Sequence, residues 1–369
     1  MSSAAPRVCV VVVNWNGWRD TIVCLESVLR SDYPDFQVVI CDNGSSDGSL
    51  VHLRAWARGD EDAPAAAPDD TLRSLFEPPI AKPLSVAELD RAEAEAGGDT
   101  AARRARLLLV ATGENLGFAG GCNVGLRYAM AAGDFDYVWL LNNDTAVPAS
   151  SLGALVERMT RDPGIGLCGS RIIFYDDPSL VQCLGGATFN PWLAMSRRLG
   201  QCTSVSRPVD ARAVERRMRC VYGASMLVHT RFLADVGLLE ECYFMYFEEL
   251  DWAARCAGRY RLGYAHESVV YHREGRSGGA NVDSRVRSAF ADLHVQHGRV
   301  LITRRFRPAA LPAVYLASLA IVAKRALLGD RQRATLLLRL LFGRLRIESV
   351  RERALSGAAE APASAASVA

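Results

Sequence analysis

Lysine is nearly missing from this 369-residue chain: of its 43 basic residues only Lys82 and Lys324 are not arginine. With abundant alanine, that bias reads as a GC-rich coding sequence rather than as chemistry. A surplus of either charge is also lacking. The formal net charge is +2, which leaves no bulk electrostatic case for a nucleic-acid partner. The ten cysteines (Cys9, Cys24, Cys41, Cys122, Cys168, Cys183, Cys202, Cys220, Cys242 and Cys256) contain no CxxC pair. That excludes a zinc ribbon and predicts buried free thiols in a reducing cytoplasm. No apolar run reaches the roughly 18 to 20 residues of a membrane span. Residues 1–6 are short and polar and a strand begins at Val8, so no signal peptide is expected. The expected location is cytoplasmic, peripheral on the inner face of the cell membrane. Half of the residues are hydrophobic, enough for one large α/β domain with an appendage or for two modest domains.

What is present alternates. Residues 8–13 are a β-branched run, the pattern of a central parallel strand buried on both faces. Asn14-Trp15-Asn16-Gly17 breaks it, and Ile22, Leu25, Val28 and Leu29 then mark a helix over 18–31. Residues 36–41 predict a second buried strand, closed by Asp42-Asn43-Gly44-Ser45-Ser46-Asp47. This is a right-handed βαβ unit. Asp42, at a strand's carboxyl end, is placed to accept hydrogen bonds from a base or ribose. Ser46 and Asp47 read as caps of the next helix. Residues 57–106 turn to Ala, Pro, Asp and Glu, a surface insertion with at most a short helix over 84–94. Residues 107–110 give a third strand.

Glu114-Asn115-Leu-Gly117-Phe-Ala-Gly120-Gly121-Cys-Asn123 follows, opening a helix to about Ala132. Glycines let the backbone approach a ligand, and a helix N-terminus favours an anion. The stretch lacks the Gly-Lys-Ser/Thr ending of a P-loop. A glycine cluster is often only tight packing, but the flanking Asn115 and Asn123 favour ligand contact. Residues 137–144, Tyr-Val-Trp-Leu-Leu-Asn-Asn-Asp, then form a buried strand ending in two amides and a carboxylate. Open α/β sheets place ligands at such ends. Asp144 offers hard oxygens for Mg²⁺ or Mn²⁺ on a diphosphate; capping of a helix near Ser150 is the bland alternative.

The order strand–Asn-Trp-Asn, strand–Asp-Asn-Gly-Ser-Ser-Asp, Asn-Leu-Gly-Phe-Ala-Gly-Gly-Cys-Asn and strand–Asn-Asn-Asp resembles family 2 glycosyltransferases, in their bacterial rhamnosyltransferase-like branch. Tyr222-Gly-Ala-Ser225, Phe244-Met-Tyr-Phe-Glu-Glu-Leu-Asp-Trp252 and Val270-Tyr-His-Arg273 with Gly275, Ser277 and Gly278 resemble that family's later motifs. The resemblance covers residues 7–280 apart from 57–106. It implies a GT-A α/β fold: a Rossmann-like nucleotide-binding half and an acceptor-binding half around one mixed, mainly parallel sheet. It also implies a nucleotide-sugar donor, a divalent cation and inversion at the anomeric carbon. Asn14, Trp15, Asn16, Asp42, Asn43, Asn115, Gly117, Gly121 and Asn123 would line the donor pocket. Asn142 and Asn143 with Asp144 stand where the family has Asp-x-Asp, with Asn142 replacing the first aspartate.

An inverting transfer needs a base for the acceptor hydroxyl, and a carboxylate can serve. Glu248, Glu249 and Asp251 open a predicted helix running through Arg255. Acids early in a helix also complement its dipole, and adjacent side chains cannot share one job. Matching to the family's Glu-Asp pair makes Glu249 the candidate base and Glu248 the next. The family pattern assigns His272 to the metal or diphosphate. Arg273 and Arg276, in a glycine-rich loop, are expected to close over the diphosphate as a lid.

Residues 299–353 hold thirteen Arg/Lys against three Asp/Glu. The apolar stretch 309–323 is too short to span a membrane, and a basic amphipathic helix pair suits an anionic membrane surface. A hairpin packed on the catalytic domain or a homodimer fits as well. The expected division is a catalytic domain over 1–280, a basic helical appendage over 281–350 and a disordered tail over 351–369. The function read from all this is an inverting, metal-dependent transfer of L-rhamnose from dTDP-L-rhamnose to a cell-surface or polyprenyl-linked glycan, as in O-antigen and other cell-envelope polysaccharide synthesis. A different UDP- or GDP-sugar, or a membrane-docked binding module without turnover, are the alternatives. A nucleotidyltransferase would carry a Gly-rich segment with Lys or Arg after the first strand, which Asn14–Gly17 lacks.

Overall fold

A computed structural model describes residues 5–65, 70–273 and 288–355. These fall into two compact units, one within 1–190 and 195–277, the other within 191–194 and 278–369. The first unit is built on strands β1 (Val8–Asn14), β2 (Phe36–Asp42), β3 (Val86–Asp90), β4 (Leu107–Ala111), β5 (Tyr137–Asn142), β6 (Thr145–Ala146), β7 (Ile165–Phe174), β8 (Val181–Leu184), β9 (Gly186–Asn190), β10 (Met195–Arg198), β11 (Cys220–Val221), β12 (Ser225–His229) and β13 (Arg261–His272). The main sheet runs β3-β4-β2-β1-β5-β12-β7-β13-β6, with β8 paired to β7, and β10-β9-β11 form a small second sheet. Neighbours from β3 to β5 are all parallel; β12 runs antiparallel between β5 and β7, and β13 is parallel to β7. The architecture is α/β, a mixed and mainly parallel GT-A-like sheet, with C-terminal helices.

The β-branched run of β1 is buried on both faces as its composition demands. Its Val8, Val10 and Val12 enter one core layer and Cys9 and Val11 the other. The helix Gly117–Ala132 lies close on β1: a Cβ at Gly125 would sit 2.5 Å from Val11 and one at Gly121 2.8 Å from Val13. Eight of the ten cysteines are buried and all are free, with Cys202 and Cys242 exposed.

Two expectations need correction. Residues 84–94 are not one helix but edge strand β3, parallel to β4, followed by a short helix Arg91–Glu95. Nor is the 57–106 segment only a surface insertion. The buried carboxylate of Glu26 accepts from Trp56 Nε1 (3.0 Å), Ile80 N (2.9 Å) and Lys82 Nζ (2.7 Å), tying it to the first helix.

Among its described residues the second unit holds four α-helices rather than a pair: Ala289–Phe306, Leu311–Leu327, Arg331–Leu341 and Ile347–Leu355. They share a core of Leu293, Val322, Ala334, Leu337, Leu341, Leu345 and Ile347. Asp292 is paired with both Arg325 and Arg333. The outer face of the second helix is mostly apolar: Pro312, Leu316, Ala320, Ala323 and Leu327 are exposed, Leu316 by 68% and Leu327 by 89%, with Lys324 the exposed charge near its end. The apolar stretch is longer than its sequence suggested. It belongs to a 20-residue helical segment, Pro308–Leu327, long and apolar enough by length and composition to cross a membrane. The tail expected over 351–369 is helical to Leu355, and its remainder lies outside the described residues.

Candidate active site

Parallel register brings the carboxyl ends of three strands together: Asn14 pairs with Asp42, and Val13 with Asn142. Asn14 donates from Nδ2 to Asp42 Oδ1 (2.6 Å) and Ser45 Oγ (3.1 Å) and accepts from Thr21 Oγ1 (2.8 Å). Asn143 donates to the same Thr21 hydroxyl at 3.0 Å. Asp42 accepts from Ser45 Oγ as well, so Ser45 braces the loop while Asp47 caps at Ser49 N. Asn16 holds a left-handed φ of 50° and accepts from Ser46 N at 2.7 Å. Ser46 therefore joins the two loops rather than capping a helix. Trp15 is half-buried and Asn16 exposed.

The glycine-rich segment is spent mostly on packing. Asn43 and Asn115 interlock: Asn43 Nδ2 donates to Asn115 Oδ1 (3.1 Å) and Gly117 O (3.0 Å), and Asn43 Oδ1 accepts from Leu116 N. Gly117 has φ +74°, and a Cβ there would lie within 2.6 Å of Phe244. Ala119 N donates to Phe244 O at 3.2 Å, so a main-chain carbonyl already covers the helix N-terminus expected to receive an anion. Asn123 is also corrected. It is 1% exposed, donates to Leu239 O and Glu241 Oε1 and accepts from Leu239 N, which makes it a clamp and not a ligand contact. Gly121 faces Val13 and Asn43.

Asp144 and His272 meet because β6 pairs with β13, setting His272 opposite Thr145. His272 Nε2 lies 3.2 Å from Asp144 Oδ1 and 3.3 Å from Asn142 Nδ2. Asp144 Oδ1 and Asn142 Oδ1 are both buried without a hydrogen-bond partner. Burial by itself would raise the Asp144 carboxyl, but the adjacent His272 and then Arg273 outweigh it and hold it below the usual range. Two orphaned oxygens beside an imidazole nitrogen suit a small hard dication. Among the described residues no group of three His, Cys, Asp or Glu forms a closed cage. Most coordination positions are thus left to a ligand.

Glu248 and Glu249 open the helix Glu248–Cys256 after a contorted loop in which Phe244, Tyr246 and Phe247 all have positive φ. Three non-glycine residues in that region are strain held at one place. Oε2 of each glutamate is buried without a hydrogen-bond partner. Burial raises Glu249 to about 7; burial, then the neighbouring Glu249 charge, raises Glu248 well above the carboxylate range. Asp251 is different. It is fully buried, accepting from Arg255 Nε (2.6 Å) and Tyr243 OH (3.1 Å), so it serves the fold and drops out as a base. The segment Tyr222–Gly223 links the two clusters: the Tyr222 ring stands edge-on to His272 at 6.3 Å, and a Cβ on Gly223 would lie 3.9 Å from Glu249 Oε1.

Arg273 is not a free lid residue. It pairs with Asp20 at 2.7 Å and lies over the Tyr175 ring. Arg276, with Gly275, Ser277 and Gly278, lies outside the described residues. Sequence reasoning missed Gln182, whose amide contacts His272; an isolated glutamine in a short strand carries no signal of its own.

Residues 9–63 and 92–189 match the model of glycosyl transferase family 2. The chain is 25% identical over 238 residues to N-acetylglucosaminyl-diphospho-decaprenol L-rhamnosyltransferase of Mycobacterium tuberculosis, covering 58% of this chain and 76% of that one. Similar solved structures include the mannosyltransferase PcManGT from Pyrobaculum calidifontis in complex with GDP-Man and Mn²⁺ (16% identity, TM-score 0.48, 96% of this chain and 81% of that one). Another is GalNAc-T7 with UDP, GalNAc and Mn²⁺ (13% identity, TM-score 0.47, 73% and 44%). With the family's motifs in order along the sheet, these matches support a family 2 glycosyltransferase of the rhamnosyltransferase-like type.

Proposed function

We propose that the chain is an inverting transferase that moves L-rhamnose from dTDP-L-rhamnose to a hydroxyl of a polyprenyl-linked glycan. The observation that carries the inverting chemistry is the Glu248–Glu249 pair, buried, short of hydrogen bonds and next to Tyr222–Gly223. Glu249, raised to about 7, is ionised in part near neutral pH and still basic enough to accept a proton. Glu248, raised further, keeps its proton and spares the site a second charge. Glu249 takes the acceptor proton as the acceptor oxygen bonds to the anomeric carbon and the bond to the diphosphate breaks on the opposite face. Asp144, His272 and Asn142 would hold Mg²⁺ or Mn²⁺, which when bound offsets charge on the departing diphosphate. Trp15 and Asn16 lie toward the nucleoside, with Asp42 and Asn43 behind them.

Sugar and acceptor are carried over from the mycobacterial relative, whose name gives L-rhamnose and a diphospho-decaprenol. A lipid-borne acceptor agrees with the apolar outer face of the helix Leu311–Leu327, to which we assign peripheral contact with an anionic membrane. The testing experiment follows dTDP release and product mass with dTDP-L-rhamnose, Mn²⁺ and N-acetylglucosaminyl-diphospho-polyprenol. Rhamnosylated product from the unaltered chain, absent with Glu249→Gln, supports the proposal. Undiminished transfer by Glu249→Gln removes Glu249 as the base. No transfer from dTDP-L-rhamnose alongside transfer from a UDP- or GDP-sugar discards the sugar and keeps the class.

A further inference from the structure

Gln182 is the second residue of β8, fully buried, on a strand that pairs with β7 just where β7 also pairs with the end of β13. Its Nε2 lies 3.4 Å from the main-chain carbonyl of His272, and its Oε1 lies 2.7 Å from His272 Nδ1. A carbonyl can only accept, so the amide nitrogen must face it and the amide oxygen is turned to the ring. An oxygen at 2.7 Å from Nδ1 requires the proton on Nδ1. In the neutral imidazole Nε2 then carries the lone pair. That atom is the one facing Asp144 Oδ1 at 3.2 Å and Asn142 Nδ2 at 3.3 Å. The Asp144 carboxylate and the Asn142 amide thus both face the ring nitrogen that Gln182 leaves open to a cation.

We propose that Gln182 is a positioning residue for the cation site: it holds His272 by its Nδ1–H and aims Nε2 at the space bounded by Asp144 and Asn142. The inference rests on the divalent-cation reading above. Without Gln182 the ring is free to rotate or to carry its proton on Nε2, where an N–H would point at the cation. A glutamine does this without adding a second buried charge beside Asp144, which a glutamate would. Outer partners of this kind typically change metal affinity by about 10- to 100-fold.

The test is titration of Mn²⁺ alone into the full-length chain, followed by the EPR signal of free Mn²⁺. It is paired with ¹⁵N–¹H correlation spectra of the His272 side chain in the metal-free protein. Gln182→Leu is expected to weaken Mn²⁺ binding about 10- to 100-fold and to mix the His272 tautomers. Gln182→Glu, which keeps an acceptor on Nδ1, is expected to bind Mn²⁺ more tightly than Gln182→Leu. The unaltered protein should show His272 protonated at Nδ1, a readout independent of any variant's folding. An Nδ1 without its proton in the unaltered protein, or parental affinity in Gln182→Leu, overturns the role of Gln182 and leaves the cation site standing. No Mn²⁺ binding by the unaltered chain overturns the cation reading and this inference with it.

Discussion

Replacing Glu249 by glutamine should abolish transfer and at the same time stabilise the fold, in a pH-dependent way. Glu249 is raised from 4.5 to about 7 in the folded chain, chiefly by burial. Between those values the folded state holds a proton that the unfolded state has released, so stability falls as pH rises from about 4.5 to about 7 and is level above. The full shift, about 2.5 units at 1.36 kcal/mol each, amounts to about 3 kcal/mol. Glutamine cannot ionise and escapes this cost. Urea unfolding should therefore show Glu249→Gln more stable than the parent by up to about 3 kcal/mol near pH 8 and by less than about 1 kcal/mol near pH 5. In the same samples the loss of a general base should lower the transfer rate by about 10²- to 10⁴-fold. A variant that is no more stable near pH 8, or whose gain is the same at both pH values, would refute the account of Glu249 as a carboxylate held against its preference.

Three further outcomes follow from the same geometry. Asn123→Ala should cost about 1–3 kcal/mol in urea unfolding by leaving Leu239 N and Leu239 O without their side-chain partner; its nucleotide affinity should stay parental, since Asn123 is buried and clamped to Leu239 and Glu241. Asp144→Ala should weaken Mn²⁺-dependent binding of a nucleoside diphosphate while leaving metal-free binding unchanged, a difference read by calorimetry. The double change Leu316→Asp with Leu327→Asp should reduce co-sedimentation with anionic vesicles without lowering thermal stability, because both side chains are exposed; unchanged sedimentation would remove the membrane assignment.

The N-terminal half of the fold was open to reading because its strands are self-declaring. The β-branched runs of β1 and β2 and the leucine run of β4 read as buried strands, and each ends in a polar loop at the carboxyl edge. The edge strand β3 was hidden because Val-Ala-Glu-Leu-Asp has helix-forming composition, and only pairing along β4 makes it extended. The twelve-residue β13 was foreshadowed only by its last residues, since its register shifts against β7 between Ala265 and Val269. At the site, Asp144, His272 and the two glutamates were legible as residue types. Their sorting was not. Asp251 and Asn123 carry the same chemistry as the candidate site groups, and only their partners, Arg255 and Leu239, reveal that they are occupied. The Asp251–Arg255 spacing of four within a helix was the one available hint.

The most direct test of the central claim is calorimetric titration of the unaltered chain with dTDP, UDP and GDP, each with and without Mn²⁺. The account predicts that dTDP binds in the presence of Mn²⁺ and is much weaker without it, with UDP and GDP behind. Failure of every nucleotide to bind under both conditions would contradict it.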